Sequence, residues 1–273
     1  MSFKGKTFFI TGASRGIGKA IALKLASEGA NIIVAAKSIK EDPRLGGTIY
    51  TAAEEIEQAG GKALAISCDI RNEDQILHAV DQTILNFGGI DGVINNASAI
   101  SLSGTEQTET KRFDLMHDIN VRGTFLVTRH CIPYLKKSTN PHILTLSPPL
   151  NLDPRWLAYH GAYTISKYNM SMLTLGWAQE YKSIGIAANA LWPITTIATA
   201  AIKNLLGGEK MFQQSRKPEI LADAAFAILS KSSTQVTGNL FTDEEVLRAE
   251  GITSFDHYAL VPGGHLQKDL FLG

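Results

Sequence analysis

Short apolar runs alternate with longer amphipathic stretches along the whole of this sequence, and the alternation limits the folds open to it. The apolar runs predict about seven strands, at residues 7–11, 31–36, 63–68, 92–95, 142–147, 186–191 and 239–242. Most of these runs are apolar throughout, which is the pattern of parallel strands covered on both faces.

Helical periodicity fills the intervals and predicts helices at residues 16–28, 48–58, 73–87, 108–135, 163–183 and 218–230. A strand–helix–strand order repeated in this way indicates an α/β fold, a doubly wound parallel sheet of the Rossmann type with right-handed crossovers. The 273 residues contain no internal repeat and no linker rich in Pro, Gly or Ser, so we expect a single domain over residues 1–273.

Charge and cysteine content exclude several classes of protein. Lys and Arg together number 26, as do Asp and Glu, and the lack of a basic excess argues against a nucleic-acid partner. Cys68 and Cys131 form neither a CxxC pair nor a metal-ligand spacing. We therefore expect two buried free thiols in a reducing compartment and no metal site.

Export and membrane segments are not expected in this sequence. The apolar run before the first glycine loop, Phe8 to Ile10, is too short for the core of a signal peptide. The longest charge-free stretch, residues 184–202, contains Asn189 and Pro193 in the order of a strand followed by a loop. We therefore expect no membrane span and a cytoplasmic protein.

The loop between the first predicted strand and the first predicted helix has the sequence TGASRGIG, residues 11–18. Gly12 permits a tight turn, Gly16 lets a pyrophosphate approach the backbone, and Gly18 allows close packing of helix against sheet. Backbone N–H groups at the helix start would then face the phosphates. The predicted cofactor-binding residues of this loop are Gly12, Ser14, Arg15, Gly16, Ile17 and Gly18.

The end of the second predicted strand bears on the choice of cofactor. NAD sites usually carry an acidic residue about 20 residues beyond the glycine loop, where it binds the ribose 2′-hydroxyl. Here the strand ends in Ala-Ala-Lys-Ser at residues 35–38, with no acidic residue before Glu41. Lys37 and Arg15 would attract a 2′-phosphate, which favours NADP(H) over NAD. The alternative is that both are solvated surface charges.

A tyrosine and a lysine four residues apart, Tyr163 and Lys167, begin the helix before the sixth predicted strand. Residues with this spacing share one face of a helix. A nearby ammonium group lowers the pKa of a phenol from its usual value near 10. We therefore predict Tyr163 as a general acid/base, with Lys167 beside it.

Several motifs stand in the order in which they occur in the short-chain dehydrogenase/reductase family, which the sequence resembles along essentially its whole length. They are residues 11–18, 68–70, 95–98, Asn120 within 118–123, 163–167 and 191–193. Residues 95–101, 147–152 and 238–247 carry a narrower likeness to one subgroup of that family. Some members of the subgroup carry a C-terminal sterol-carrier domain, and we expect none within residues 1–273.

The resemblance implies a role for each matching residue. Tyr163 would exchange a proton with a carbonyl oxygen as hydride passes to or from the nicotinamide, and Lys167 would bind the nicotinamide ribose. Asn120 would position a water that relays protons through Lys167, although it could be only a structural amide. Asp69 would contact the adenine, or would only cap a turn. The further cofactor contacts implied are Ile70, Asn96, Ala97, Pro193, Thr195 and Thr196.

The sequence departs from the family after the fifth predicted strand, where a serine usually donates to the substrate carbonyl. Ser147 is followed by Pro148 and Pro149, and a proline, which has no hydroxyl and no N–H, occupies the usual place. Either a longer loop returns Ser147 to the site, or Asn151 replaces it as donor. The third possibility is weaker stabilisation of the oxyanion, which costs about 10²–10³ in rate. Ser147 is the fourth predicted catalytic residue.

Residues 195–217 follow the sixth predicted strand, and we predict that they form a lid over the substrate. The alternative is a surface helical pair with no role in binding. Ile194 replaces the family's usual glycine after Pro193, and Thr199 is expected near the pyrophosphate. Apolar and aromatic side chains in the lid and before Tyr163 favour an apolar substrate, unless they only pack together: Leu205, Leu206, Met211, Phe212, Trp156, Tyr159 and His160.

The leading hypothesis is an NADP-dependent oxidoreductase that transfers hydride between the nicotinamide and a small-molecule carbonyl or alcohol. The resemblance implies a homodimer or homotetramer, formed through the helices that contain Asn120 and Tyr163. The alternative is an NADP(H)-binding protein of little or no turnover, serving as a sensor or assembly subunit. A nucleotide-sugar epimerase shares the glycine loop and the Tyr–Lys pair, but this sequence lacks the sizeable substrate domain that such enzymes append.

Overall fold

The computed structural model describes residues 2–272, whose strands form one parallel sheet. The strands are β1 (Thr7–Thr11), β2 (Asn31–Ala36), β3 (Lys62–Ser67), β4 (Gly92–Asn95), β5 (His142–Thr145), β6 (Ala187–Trp192) and β7 (Leu240–Thr242). Their order across the sheet is β3-β2-β1-β4-β5-β6-β7. The predicted doubly wound α/β fold is confirmed.

Ten α-helices lie among the described residues. They are α1 (Gly16–Ser27), α2 (Ile49–Gln58), α3 (Glu73–Phe87), α4 (Thr110–Met116), α5 (Thr124–Leu135), α6 (Pro154–Ala158), α7 (Gly161–Glu180), α8 (Gly208–Gln213), α9 (Glu219–Leu229) and α10 (Asp243–Ala249). Two π-helical turns, His117–Gly123 and Ile202–Leu206, and two 3₁₀ turns, Lys182–Ile184 and Asp256–Tyr258, complete the helical structure.

Helices cover both faces of the sheet. Phe8 and Ile10 of β1 pack with α1, α2 and α9 on one face, whereas Phe9 packs with α3, α5 and α7 on the other. Phe9 is in register with Ile33 of β2 and Val93 of β4. All these side chains are buried, which explains why the strand sequences are apolar throughout rather than alternating.

The chain changes its direction across the sheet at β1. β2 and β3 lie on one side of β1, and β4 to β7 lie on the other. Open α/β sheets bind ligands at such a switch point, outside the carboxyl ends of the strands. The loops that follow β1 and β4 meet there, because Asn96 N–H donates to Thr11 Oγ1 at 3.1 Å.

Local sequence signals set several helix ends. The Asn72 side chain accepts hydrogen bonds from the Asp74 and Gln75 N–H groups at the start of α3. Gly88 ends the same helix in the left-handed conformation, with φ of 79°. Because both signals are local, the predicted bounds of this helix, 73–87, are those observed.

The predicted strand 142–147 ends at Thr145. The Ser147 N–H donates to Thr145 O within its own chain segment, and Pro148 and Pro149 have no N–H to donate to a neighbouring strand. The predicted helix 108–135 begins at Thr110 and is interrupted by the π-helical turn. The short helices α6 and α10 were not predicted, whereas α8 lies within residues 195–217, for which a helical pair was the stated alternative.

Among residues 2–272, no helix is both long and apolar enough to cross a membrane. The same residues contain no cluster of His, Cys, Asp and Glu side chains arranged to hold a metal ion. Cys68 and Cys131 are buried free thiols. Burial raises the pKa of Cys68 to about 12, so its thiol stays protonated as well as shielded from reagents, and a reactive thiolate is disfavoured.

Candidate functional site

A cavity of about 880 Å³ opens at the carboxyl ends of β1, β2 and β4. A volume of this order suits a cofactor-sized ligand. The predicted cofactor residues that line it are Gly12, Ser14, Arg15, Gly16, Ile17, Lys37, Asp69, Ile70, Asn96 and Ala97. Residues 198–201 line it as well, and they include Thr199.

The glycine loop leaves no room for side chains at two of its positions. Gly12 has φ of 68°, and a Cβ there would lie 3.0 Å from Ala97 Cα. A Cβ on Gly18 would lie 2.4 Å from Asn96 Nδ2, which donates to the carbonyl oxygens of Thr11 and Gly12. Gly18 therefore supports the turn from behind rather than lining the cavity. The resulting cradle, with its backbone exposed to the cavity, fits the pyrophosphate of a dinucleotide.

Two cations lie at the end of the cavity beside β2. Arg15 Nη2 donates to Ser38 Oγ at 2.5 Å and to Gly47 O at 3.2 Å, and Lys37 is exposed. Arg15 Nε is buried and has no hydrogen-bond partner among the described residues. An unpaired guanidinium N–H beside an exposed lysine fits an anionic group of a ligand.

The acidic residues nearest to this end have other partners. Asp69 forms an ion pair with Arg71, with 2.5 Å between Oδ2 and Nη2. Asp42 accepts hydrogen bonds from the N–H groups of Arg44 and Leu45. These contacts lower the pKa of both carboxyl groups, so each is ionised but locally compensated.

Asn120 joins the cavity to the helix that carries Tyr163. It is fully buried in the π-helical turn, a feature often found at functional sites. Its Oδ1 accepts from Ala99 N–H at 2.8 Å, and its Nδ2 donates to Ala99 O and to Ser166 Oγ, each at 2.9 Å. Ala99 follows the cavity-lining residues 96–98, and Ser166 lies between Tyr163 and Lys167 on α7. The role predicted for Asn120 in a proton relay stays a prediction.

Tyr163 and Lys167 lie one turn apart on α7, and both side chains are buried. Lys167 Nζ donates to Leu146 O at 2.5 Å and lies 5.1 Å from the ring centre of Trp192. Burial lowers the pKa of Lys167 to about 7 and raises the pKa of Tyr163 above its usual value. In this arrangement the tyrosine pKa is raised rather than lowered, because loss of hydration and then the charge of Asp269 both disfavour the phenolate.

Ser147 lies in the interior rather than in the cavity. It is fully buried, and its hydroxyl accepts a hydrogen bond from Ser171 Oγ at 3.0 Å. Ser171 also contacts the Pro148 carbonyl oxygen, at 2.6 Å, which fixes the proline-containing loop against α7. Ser147 therefore does not line the cavity, although Leu146 beside it accepts from Lys167 Nζ, and its catalytic role stays a prediction.

The residues predicted near the nicotinamide do not line the cavity either. An antiparallel bridge joins Thr195 to Lys268, and the Thr196 N–H donates to Gln267 O at 2.9 Å. Pro193 precedes Ile194, whose carbonyl oxygen accepts from Asp269 N–H at 3.0 Å. Residues 267–272, here called the covering segment, therefore lie along this part of the chain. Sequence reasoning did not find the segment.

The covering segment closes the surroundings of Tyr163. The Phe271 ring is buried and lies 6.1 Å from the ring centre of Tyr163. Asp269 is close enough for its charge to raise the pKa of Tyr163 and to oppose the lowering of the Lys167 pKa. Loss of hydration raises the pKa of Asp269 itself to about 7. Three titratable groups therefore share one poorly hydrated region.

The predicted lid, residues 195–217, runs from the covering segment at Thr195 and Thr196 past the cavity lining at residues 198–201. Leu205 and Leu206 are exposed, and Asn204 Nδ2 donates to Arg44 O in the loop between β2 and α2. The apolar surface beside Tyr163 comes from Phe271 and Trp156, and contact between the lid residues and a substrate stays a prediction. Tyr159 is mostly exposed, and His160 Nδ1 is buried without a partner among the described residues.

Comparison with known proteins agrees with this geometry. The family model of the short chain dehydrogenases, adh_short, matches residues 6–209. The chain therefore belongs to the short-chain dehydrogenase/reductase family, whose members are oxidoreductases.

Individual relatives give a finer comparison. The chain is 59% identical over 268 residues to the hydroxysteroid dehydrogenase-like protein 2 of Homo sapiens, which confirms the narrower likeness expected from the sequence. The match covers 98% of this chain and 63% of the human protein, so the chain spans less than two thirds of that relative's length. The crystal structure of a short chain dehydrogenase from Mycobacterium thermoresistibile is 52% identical, with a TM-score of 0.95, covering 100% of this chain and 96% of that one.

More distant structures share only the fold. A metagenomic short-chain oxidoreductase in complex with NADP is 23% identical, with a TM-score of 0.72 over 89% of this chain and 98% of its own. A short chain dehydrogenase from Mycobacterium paratuberculosis bound to NAD is 22% identical, with a TM-score of 0.76 over 91% of this chain and 100% of its own. Proteins of this fold thus bind either nicotinamide cofactor.

Proposed function

We propose that this chain is an NADP-dependent oxidoreductase that interconverts a carbonyl compound and its alcohol, with Tyr163 as the general acid/base. The observation that carries the proposal is one connected arrangement. A glycine cradle opens into the cavity, and Asn120 links the far wall of that cavity to α7, at Ser166 between Tyr163 and Lys167. An apolar substrate suits the aromatic and aliphatic side chains around Tyr163.

NADP(H), when bound, supplies or accepts the hydride. The chain's own residues bind, orient and move protons: Tyr163 Oη gives a proton to the carbonyl oxygen, or takes one from the alcohol. Lys167 Nζ, which now donates to Leu146 O, would donate to the ribose hydroxyls and favour the ionised phenol. Both roles need water or ligand near these groups, because burial alone shifts both pKa values the wrong way.

The preference for NADP(H) rests on Arg15 and Lys37. A 2′-phosphate beside them would gain charge-assisted hydrogen bonds, including one to the unpaired Arg15 Nε, and no acidic side chain follows directly after β2. Each such bond contributes about 1.5–3 kcal/mol, so the preference should be at least tenfold. Ser38, already bonded to Arg15, is close enough to contribute a hydroxyl.

The test combines binding with turnover. NADPH oxidation is followed over a panel of aldehydes, ketones and acyl-chain carbonyls, and the Tyr163→Phe variant should lose turnover but retain NADPH affinity. Arg15→Ala should weaken NADPH binding at least tenfold and leave NADH binding unchanged. Lys40→Ala, an exposed lysine outside the cavity lining, is the matched control. Equal affinities for NADPH and NADH in the unaltered protein would refute the cofactor assignment.

A second candidate function is an NADP(H)-binding protein of little or no turnover. Two observations favour it: Ser147 is held in the interior by Ser171, and Phe271 covers Tyr163. Tight NADPH binding without oxidation across the whole panel would support this function over the reductase. Turnover that depends on Tyr163 would exclude it.

We also propose that the chain self-associates through α5 and α7. Phe125 and Met172 are exposed apolar side chains that line a shallow hollow between these helices, together with Val121, Leu173 and Gly176. Exposed apolar side chains that share one hollow favour burial against a second copy. Light scattering at micromolar concentration should therefore give a dimer or tetramer, and a monomer would contradict the proposal.

A further inference from the structure

Phe271 occupies a box made of four aromatic side chains. Its ring centre lies 5.3 Å from that of Tyr168, 5.8 Å from those of Trp156 and Trp192, and 6.1 Å from that of Tyr163. These four side chains are here called the aromatic box. One wall is the predicted acid/base, so any ring that lies in the box is next to the reacting group.

Two main-chain carbonyl groups hold the occupant in the box, and residues 267–269 anchor the rest of the covering segment to Ile194 and Thr196. The Phe271 carbonyl oxygen accepts from Asn151 Nδ2 at 3.1 Å, and the Leu270 carbonyl oxygen accepts from Trp192 Nε1 at 3.2 Å. Phe271 has φ of 71°, and among residues 2–272 it is the only non-glycine residue with a left-handed backbone conformation. Residues with a Cβ rarely adopt that conformation, so release of the segment would relieve strain there.

The occupied box also leaves a donor unpaired. Trp156 Nε1 is buried and has no hydrogen-bond partner among residues 2–272. A phenylalanine ring cannot accept a conventional hydrogen bond there, whereas a ligand that combines an apolar ring with an oxygen can. Buried indole N–H groups usually have a partner, so this one points to a ligand that Phe271 does not fully imitate.

We infer that the aromatic box binds the apolar, ring-bearing part of a carbonyl substrate, and that Phe271 is an internal occupant which the substrate displaces. The inference rests on the proposed function for the role of Tyr163 as general acid/base. The binding of the ring in the aromatic box does not depend on that role. Asn151, which the sequence offered as a replacement donor to the substrate carbonyl, instead holds Phe271. Displacement would therefore free the Asn151 amide and uncover Tyr163 together.

Binding of a ring-bearing ketone, in the absence of cofactor, tests the inference without any turnover. The probe is 4-phenylbutan-2-one, titrated by calorimetry and by tryptophan fluorescence, which is informative because two of the three tryptophans line the box. Phe271→Ala removes the occupant and should tighten probe binding about ten- to hundredfold, the range expected from burying one such side chain. The control is Phe3→Ala. Phe3 is also buried, but it precedes β1 and packs on Phe8 rather than in the aromatic box, so this variant should leave probe affinity unchanged.

A second variant keeps both the occupant and the box. Asn151→Asp preserves the oxygen that accepts from Asp153 N–H but loses the donor to the Phe271 carbonyl. It should tighten probe binding about three- to tenfold, and it decides the question if Phe271→Ala lacks a cooperative melting transition. If Phe271→Ala folds, unchanged probe affinity in that variant would overturn the inference. If Phe271→Ala does not fold, unchanged probe affinity in Asn151→Asp would overturn it. Tighter binding without NADPH oxidation would contradict the proposed function alone.

Discussion

Replacing Gly18 with alanine tests whether the glycine loop is built as the structure describes. An added Cβ would lie 2.4 Å from Asn96 Nδ2 and 2.7 Å from Gly12 O, and both distances are too short for a carbon. Asn96 must then move, and it gives up its hydrogen bonds to Thr11 O and Gly12 O. The substitution acts at the join of β1, β4 and α1, so both stability and cofactor affinity should fall.

The magnitude follows from opposing effects. Alanine is favoured over glycine inside a helix by about 1 kcal/mol. Overpacking costs about 1–3 kcal/mol, and two lost hydrogen bonds cost about 1 kcal/mol each. We expect a net loss of about 2–4 kcal/mol in the free energy of unfolding, with Tm lower by roughly 5–10 °C.

Thermal denaturation and NADPH titration of Gly18→Ala measure both effects, and affinity should fall at least tenfold. Gly89→Ala is the control, because Gly89 lies outside the cavity lining and a Cβ there would meet nothing within 4 Å. A Gly18→Ala protein with unaltered Tm and NADPH affinity would show that the loop does not approach Asn96 as described and is not a pyrophosphate cradle.

Three further predictions concern stability, reactivity and assembly. Burial lowers the pKa of His142 to about 4 from 6.5, so the folded state disfavours the charged imidazole. The free energy of unfolding should therefore fall by up to about 3 kcal/mol as the pH drops from 6.5 to 4. Urea denaturation of His142→Gln should show little of this dependence on pH. Cys68 and Cys131 should resist a thiol reagent at pH 8 in the folded protein and react in denaturant, because burial raises both pKa values; fast labelling of the folded protein would contradict this. Met172→Glu should turn the assembled protein into a monomer by light scattering, whereas the exposed control Leu85→Glu should not.

The parts of the fold that depend on local sequence were predictable. The bounds of β1, β2, β4 and α3 are those expected from the sequence, because burial on both faces and end caps leave direct marks in it. The glycine turn between β1 and α1 was equally predictable, since Gly12 and Gly16 have the positive φ that such a turn needs. The approach of Asn96 to Gly18 was not, because it depends on how β4 lies beside β1.

The protonation of Tyr163 and Lys167 shows a different limit. Their spacing predicts one helix face, which is a local property, but a pKa depends on everything that displaces water around the group. The decisive neighbours, Asp269 and Phe271, come from the end of the chain. A pair of residues can therefore be located from sequence while the sign of its pKa shift cannot.

Ser147 shows why a motif with one altered position is hard to extend. The Pro148–Pro149 pair already indicated an irregular strand end, and it left three outcomes open. The structure adds Ser171, whose hydroxyl contacts both the Ser147 hydroxyl and the Pro148 carbonyl inside the fold. The sequence around Ser147 does not indicate that Ser171, on α7, is its hydrogen-bond partner.

The covering segment divides the candidate site into an open end and a closed end. The cavity lined by Arg15 and the glycine loop is open, whereas Tyr163 lies outside its lining and is covered by Phe271. If the chain reduces carbonyl compounds, NADP(H) can therefore make its first contacts at the open end, whereas the reacting end must be uncovered. A substrate with an apolar ring could supply that opening from its own burial, since it replaces Phe271 in the aromatic box. Selectivity for such substrates would then come from competition with the chain's own side chain rather than from the lid.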